Sequence, residues 1–351
     1  MKKYNLFSYL FALVALCINV SSSAVFISLE EWEHNENKQK VYLLSDWHGS
    51  SSQDQQDDLL WVAKQLDACV IAEDTDSYDG NNAILRTMRQ YGTPTPPLGL
   101  IINKCRQNKI RCENVEYRYA RTFLYPALKA HGSSQAFKKS WENVHGFEEL
   151  KKDERDETRT IVRELKGYHY QDTRFQAVHS NLLAQTLREH TDYLIDTILQ
   201  EEDPGNRYTM MDQNVKTCAK FIDLRMIRQL YRHRNVKHIF IPGGGKHIEV
   251  VSGQLPSLGF HRVNQVGEKS AMSIEGVFKA RLYEKLSWIP FDFGGAPFDL
   301  GKYFNEHPQL HVPQSPVQKR KKECSDKLKG SLIMTGLLGL AGAIIYYNMG
   351  S

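Results

Sequence analysis

The chain has 351 residues, 45 Lys and Arg against 41 Asp and Glu, and a formal net charge of +4; its 41% hydrophobic and 25% charged residues exclude wholesale disorder and fibrous repeats. The excess charge sits at the ends, in Lys2 and Lys3 and in a block over 319–329 with six basic residues against Glu323 and Asp326. The body over 25–318 holds 37 basic and 39 acidic residues, a net of −2, so nothing in the charge balance points to nucleic acid.

In chain order, residues 1–24 read as a secretory signal peptide. Lys2-Lys3 supply the positive start, Tyr9 to Leu16 the apolar stretch, and Ser22-Ser-Ala24 the small residues of a cleavage site. A domain over 25–285 follows. Lys40 to Ser45 reads as a buried strand, Asp46-Trp-His-Gly-Ser50 as a turn, and Gln55 to Leu66 as a helix with an apolar side. Cys69-Val-Ile-Ala72 is the next strand and ends at Glu73-Asp74. Helices are expected over Ala83–Gln90 and Leu98–Gln107, and a third strand over Cys112–Arg118.

A charged, mostly helical insertion is expected over about 134–207, with helices at Phe147–Leu165 and Leu182–Leu199. Asp203-Pro-Gly-Asn206 reads as a break before a long helix from about Tyr208 to His233. The strand His238–Pro242 leads into Gly243-Gly-Gly-Lys-His247, a short helix to Leu258 and a closing strand, Gly259–Val263. The expected architecture is therefore α/β, with two β-α-β halves forming one central sheet and a helical insertion between them. Residues 286–318, rich in Gly, Pro and aromatics, read as a linker or a packed extended arm. The basic block at 319–330 then precedes an uncharged segment, 331–347, which reads as a transmembrane helix. This layout predicts an exported protein held at a membrane by its C-terminal helix. The basic block then lies on the exported side, against the usual charge asymmetry.

Removal of residues 1–24 leaves Cys69, Cys105, Cys112, Cys218 and Cys324, an odd count without a C-x-x-C pair. Cys105 and Cys112 could pair across a short loop, whereas Cys69 and Cys218 read as small buried hydrophobes.

Three constellations carry chemistry. Asp46 and His48 follow one strand end, and Glu73 and Asp74 another, so carboxylates and an imidazole share the edge where open α/β sheets place their sites. Gly243-Gly244-Gly245-Lys246-His247 forms a strand-to-helix turn that a ligand can approach closely, without the third glycine of a dinucleotide fingerprint or the Ser/Thr of a P-loop. Asp212 and Asn214, near the start of the long helix, are candidate polar groups reaching the same site. Glu116, Arg118, His169, His179, His190 and the run Lys151–Glu157 read as structural.

These motifs resemble the TraB/TIKI superfamily, with erythromycin-esterase-like and ChaN-like relatives. Gly244-Gly-Lys-His247 matches its second Gly-x-x-His, and Glu73 in Val-Ile-Ala-Glu matches its acid. Ser45-Asp-Trp-His48 has Ser for Gly in the first motif, and Gln213-Asn214 lacks the Arg of an Arg-Asn pair. The resemblance covers about 40–75 and 208–265. It implies a membrane-tethered, metal-dependent hydrolase of peptidase type. His48, Glu73 and His247 would then be divalent-metal ligands or acid/base groups, Asp46 would orient His48, and Gly244, Gly245, Asp212 and Asn214 would bind a peptide or small-molecule substrate. Leu44-Ser-Asp-Trp-His-Gly49 also resembles the opening of calcineurin-like metallophosphoesterases, with Asp46, His48 and Asp74 as ligands, but the later Gly-Asn-His and Gly-His-x-His are absent. A non-catalytic ligand- or haem-binding protein on the same fold is the third expectation.

Overall fold

The computed structural model describes residues 26–46, 53–73, 101–116, 122, 134–142, 147–267, 300–306, 313, 316–317, 319–320 and 323. The proposed signal peptide (1–24), the helix expected over 83–90 and the apolar segment 331–347 lie outside them. Among the described residues no helix is long and apolar enough to cross a membrane.

A six-stranded mixed sheet runs in the order β4-β3-β5-β2-β1-β6. Its strands are β1 (Phe26–His34), β2 (Lys40–Asp46), β3 (Cys69–Ala72), β4 (Arg111–Asn114), β5 (His238–Gly244) and β6 (Phe260–Gly267). β2, β5, β3 and β4 pair in parallel, and β1 is antiparallel to both β2 and β6. The α/β class expected from the sequence is thus the observed one. Its two halves interleave: β5 inserts between β2 and β3, so the first β-α-β unit skips a strand.

The period-2 alternation of the strands separates two apolar layers. Trp32, Val41, Leu43, Cys69, Ile71, Ile239 and Ile241 point to one face. There they meet helices α4 (Phe147–Lys166), α5 (Thr173–Glu189), α7 (Pro204–Arg232) and α8 (Gly245–Gln254). Leu29, Tyr42, Leu44, Val70, Ala72 and Phe240 point to the other. That face is covered by α1 (Gln53–Gln65), α2 (Ile101–Gln107) and α9 (Leu300–Glu306). Two further helices, α3 (Ser134–Glu142) and α6 (Ile195–Gln200), belong to the inserted region. Ile161, Leu165, Phe175 and Val178 of that region share one core with the sheet, so the insertion is packed into the domain.

Four sequence expectations are corrected. β1 was not anticipated. The helix expected over 182–199 is two helices separated at 190–194. There the buried Asn214 takes over helix hydrogen bonding, accepting from the Tyr193 N–H and donating to the Tyr193 carbonyl, both at 2.8 Å. Asp203-Pro-Gly-Asn206 starts α7 where a break was expected: Asp203 caps the helix by accepting from the Asn206 N–H at 2.7 Å, with Pro204 in the first turn. The arm after residue 286 includes a packed helix, since Leu300, Tyr303 and Phe304 of α9 are buried and the Trp61 indole donates to the Pro313 carbonyl at 3.0 Å. Cys69, Cys105, Cys112 and Cys218 form no disulfide, so the pairing of Cys105 with Cys112 is not made. Cys69 and Cys218 are fully buried in one core, and burial pushes the Cys69 thiol up to about 12.

Candidate active site

The helices that follow β2 and β3 lie on one face of the sheet, and α8, which follows β5, lies on the other. In open α/β sheets, ligands bind at the carboxyl edge where chain ends diverge in this way. β5 runs into α8 without an intervening loop, with Gly244 as the cap residue at φ −57°, ψ 142° and no side-chain capping hydrogen bond. This junction sets His247 on the first turn of α8.

The His247 ring lies between two carboxylates. Its Nδ1 is 2.6 Å from Oδ1 of Asp223, a residue of α7, and its Nε2 is 3.5 Å from Oε1 of Glu73, directly after β3. All three side chains are largely enclosed, at 13%, 10% and 8% exposure for His247, Asp223 and Glu73. Burial holds the Asp223 carboxyl above the usual carboxylate range, with the Glu73 charge adding to the effect and the His247 hydrogen bond opposing it.

The structure therefore joins Glu73 and His247, two residues singled out from sequence, and adds Asp223, which was not. The signal for Asp223 was present: an acid stands in Phe221-Ile-Asp-Leu-Arg-Met-Ile227, on the side of α7 that also buries Met226, Ile227 and Leu230. A carboxylate placed among core positions needs a partner. His48 and Asp74 lie outside the described residues, so neither the first Gly-x-x-His-like motif nor the phosphoesterase ligand set can be assembled from them. Asp46 ends β2 and its backbone is the register partner of Gly244, which brings the ends of the two half-motif strands together.

Asp212 and Asn214 are not at this site. Asp212 pairs with Lys216 at 2.7 Å on a half-exposed face of α7, eleven residues and roughly 16 Å along the axis from Asp223. Asn214 is committed to the Tyr193 backbone. Gly244 is buried and Gly245 half-buried, at the start of α8. Of the residues read as structural, Glu116 is buried just past β4, with its carbonyl accepting from Arg225 at 3.3 Å, and His179 and His190 pack against aromatic rings.

As a metal site, the donor set fits in part. Two donors of one tetrahedral zinc ion, each bonded at about 2.0–2.1 Å, stand about 3.4 Å apart, close to the separation of His247 Nε2 and Glu73 Oε1. Asp223 lies on the opposite edge of the ring and cannot face the same point. Among the described residues no group of three His, Cys, Asp or Glu side chains is arranged to hold a metal ion. No family model, curated protein or solved structure matches this chain.

Proposed function

We propose that the protein is a hydrolase working by metal assistance at the carboxyl edge of its sheet, with His247 Nε2 and Glu73 Oε1 as two of the donors. The observation that carries this reading is the 3.5 Å separation of two largely buried side chains, which matches an edge of a tetrahedral coordination shell. A bound divalent ion would lower the pKa of a water and polarise a carbonyl. The chain's own residues do the rest. Glu73 supplies the negative charge that offsets a cation, the β5–α8 junction fixes the position of the imidazole, and the burial of both side chains strengthens those interactions. A peptide or another carbonyl compound suits this chemistry, and attachment to a membrane through 331–347 belongs to the same reading.

The test is calorimetric titration of the purified protein with zinc, beside His247→Ala and Glu73→Gln, followed by hydrolysis assays on peptides and esters with zinc present. One zinc per chain in the wild type, its loss in both variants and a rate drop of 100-fold or more are expected. Equal zinc binding or equal hydrolysis in wild type and His247→Ala overturns the proposal.

A further inference from the structure

Asp223 has a placement that packing does not explain. It projects from a stretch of α7 whose neighbours Phe221, Ile222, Leu224, Met226 and Ile227 are all core residues, and the side chain is only 10% exposed. A carboxylate buried among apolar groups weakens the fold unless an interaction offsets the loss of water. Here that interaction is the 2.6 Å contact with His247 Nδ1. The ring has two nitrogens with different surroundings. Nδ1 faces a carboxylate at full hydrogen-bond distance, whereas Nε2 lies 3.5 Å from Glu73, beyond a normal N–H···O bond. A single ring proton is best placed on Nδ1, where it is donated to Asp223, and Nε2 then carries the lone pair.

We infer that Asp223 is a positioning residue that fixes His247 as the Nδ1–H tautomer and so makes Nε2 an electron-pair donor directed toward Glu73. The inference rests on the proposed reading of the Glu73–His247 pair as a metal edge, and it deepens that reading by naming the residue that sets the ligand's protonation geometry. Carboxylates commonly hold ligand imidazoles in this way from behind. The sequence gives no motif for the pairing, because residues 223 and 247 meet only after α7 and α8 pack on the same face of the sheet.

Two measurements on the full chain test it. The first uses metal-free protein: long-range 15N–1H correlation spectra, with His247→Gln to assign the ring, should show a protonated Nδ1 and an unprotonated Nε2. Asp223→Asn should mix the tautomers and Asp223→Glu restore the wild-type pattern. The second is zinc affinity, expected to fall about 10- to 100-fold in Asp223→Asn and to recover partly in Asp223→Glu. A wild-type ring protonated on Nε2, or an Asp223→Asn protein with unchanged tautomer and zinc affinity, overturns the inference. If wild type and His247→Ala bind zinc alike, the metal reading fails, while the tautomer spectra of the metal-free protein still decide the role of Asp223. A purely structural Asp223 would alter stability without moving the ring proton.

Discussion

The Tyr303 hydroxyl donates a 2.6 Å hydrogen bond to Oε2 of Glu31, joining α9 to the middle of β1 across 272 residues of sequence. The other oxygen of Glu31 accepts from Lys40 Nζ, also at 2.6 Å, so the buried carboxylate is satisfied on both sides. Around it, Tyr42 stacks on Phe240 and Phe304 packs against both. The contact makes α9 part of the domain core.

Tyr303→Phe should therefore destabilise the whole domain, because it leaves one oxygen of a buried carboxylate without its hydroxyl partner while keeping the ring packing. A loss of about 2 kcal/mol is expected, read as a melting temperature roughly 4–8 °C lower. Zinc binding at the far edge of the sheet should not change. A variant melting with the wild type would show that the Tyr303–Glu31 hydrogen bond adds nothing to stability.

Asn214→Ala separates structure from site. Both amide hydrogen bonds to the Tyr193 backbone, at 2.8 Å each, disappear. The expected loss is about 2–3 kcal/mol in urea unfolding. Because Asn214 is remote from Glu73 and His247, the folded variant should titrate with zinc as the wild type does. A weaker zinc affinity in folded Asn214→Ala would return this residue to the site.

Much of this fold was legible because its strands are short apolar runs with polar ends. Cys69–Ala72 was read with its observed bounds, and β2, β5, α1 and α4 to within a few residues. β1 was not legible, because Glu30, Glu31 and Glu33 in nine residues disguise a strand. The acids are tolerated through their partners, two of them distant in sequence: Glu30 accepts from the neighbouring Trp32 indole and the remote Ser252 hydroxyl, and Glu31 from Lys40 and the remote Tyr303. The break between α5 and α6 was hidden for the same reason, since Asn214 makes it and no glycine or proline lies in 190–194. At the site, Glu73 and His247 stood at strand ends where periodicity changes and could be named. Asp223 needed the helix packing.

Stability should fall on acidification from near neutral, through two buried imidazoles. His179 and His238 both have pKa values lowered to about 4, in each case chiefly by burial, with Arg228 adding for His179 and Lys237 and Lys40 for His238. In the unfolded chain each titrates near 6.5. Between those values the unfolded state binds protons that the folded state refuses. Stability is thus full above about pH 6.5 and declines toward pH 4, by about 2–3 kcal/mol per histidine at pH 4.5. Urea unfolding of His179→Phe at pH 4.5 and 7.0 should show a smaller pH difference than the wild type by about that amount. An unchanged difference would mean that His179 accepts its proton in the folded state.

The glycines invert the weight that their motif suggests. The run Gly243-Gly-Gly245 attracts attention in the sequence, yet a Cβ on Gly243 would meet Ile248 Cδ1 and Met226 Cε at 3.5 Å, ordinary van der Waals contact. Gly259, alone between the short turn Pro256–Leu258 and β6, has φ +89°, and a Cβ there would come 2.7 Å from Arg174 Nη1 and 3.2 Å from His34 Nε2. Gly243→Ala should leave stability unchanged or raise it by up to about 1 kcal/mol, since it narrows the unfolded ensemble. Gly259→Ala should lose about 1–2 kcal/mol from the left-handed backbone alone. A further loss follows from displacing Arg174, which bonds Asp172 and Glu36 at 3.1 and 3.0 Å and so ties the start of α5 to the β1–β2 turn. Thermal melts of the two variants side by side decide the matter. A larger loss at Gly243 than at Gly259 would show that the strand-to-helix junction carrying His247 is packed more tightly than these contacts allow.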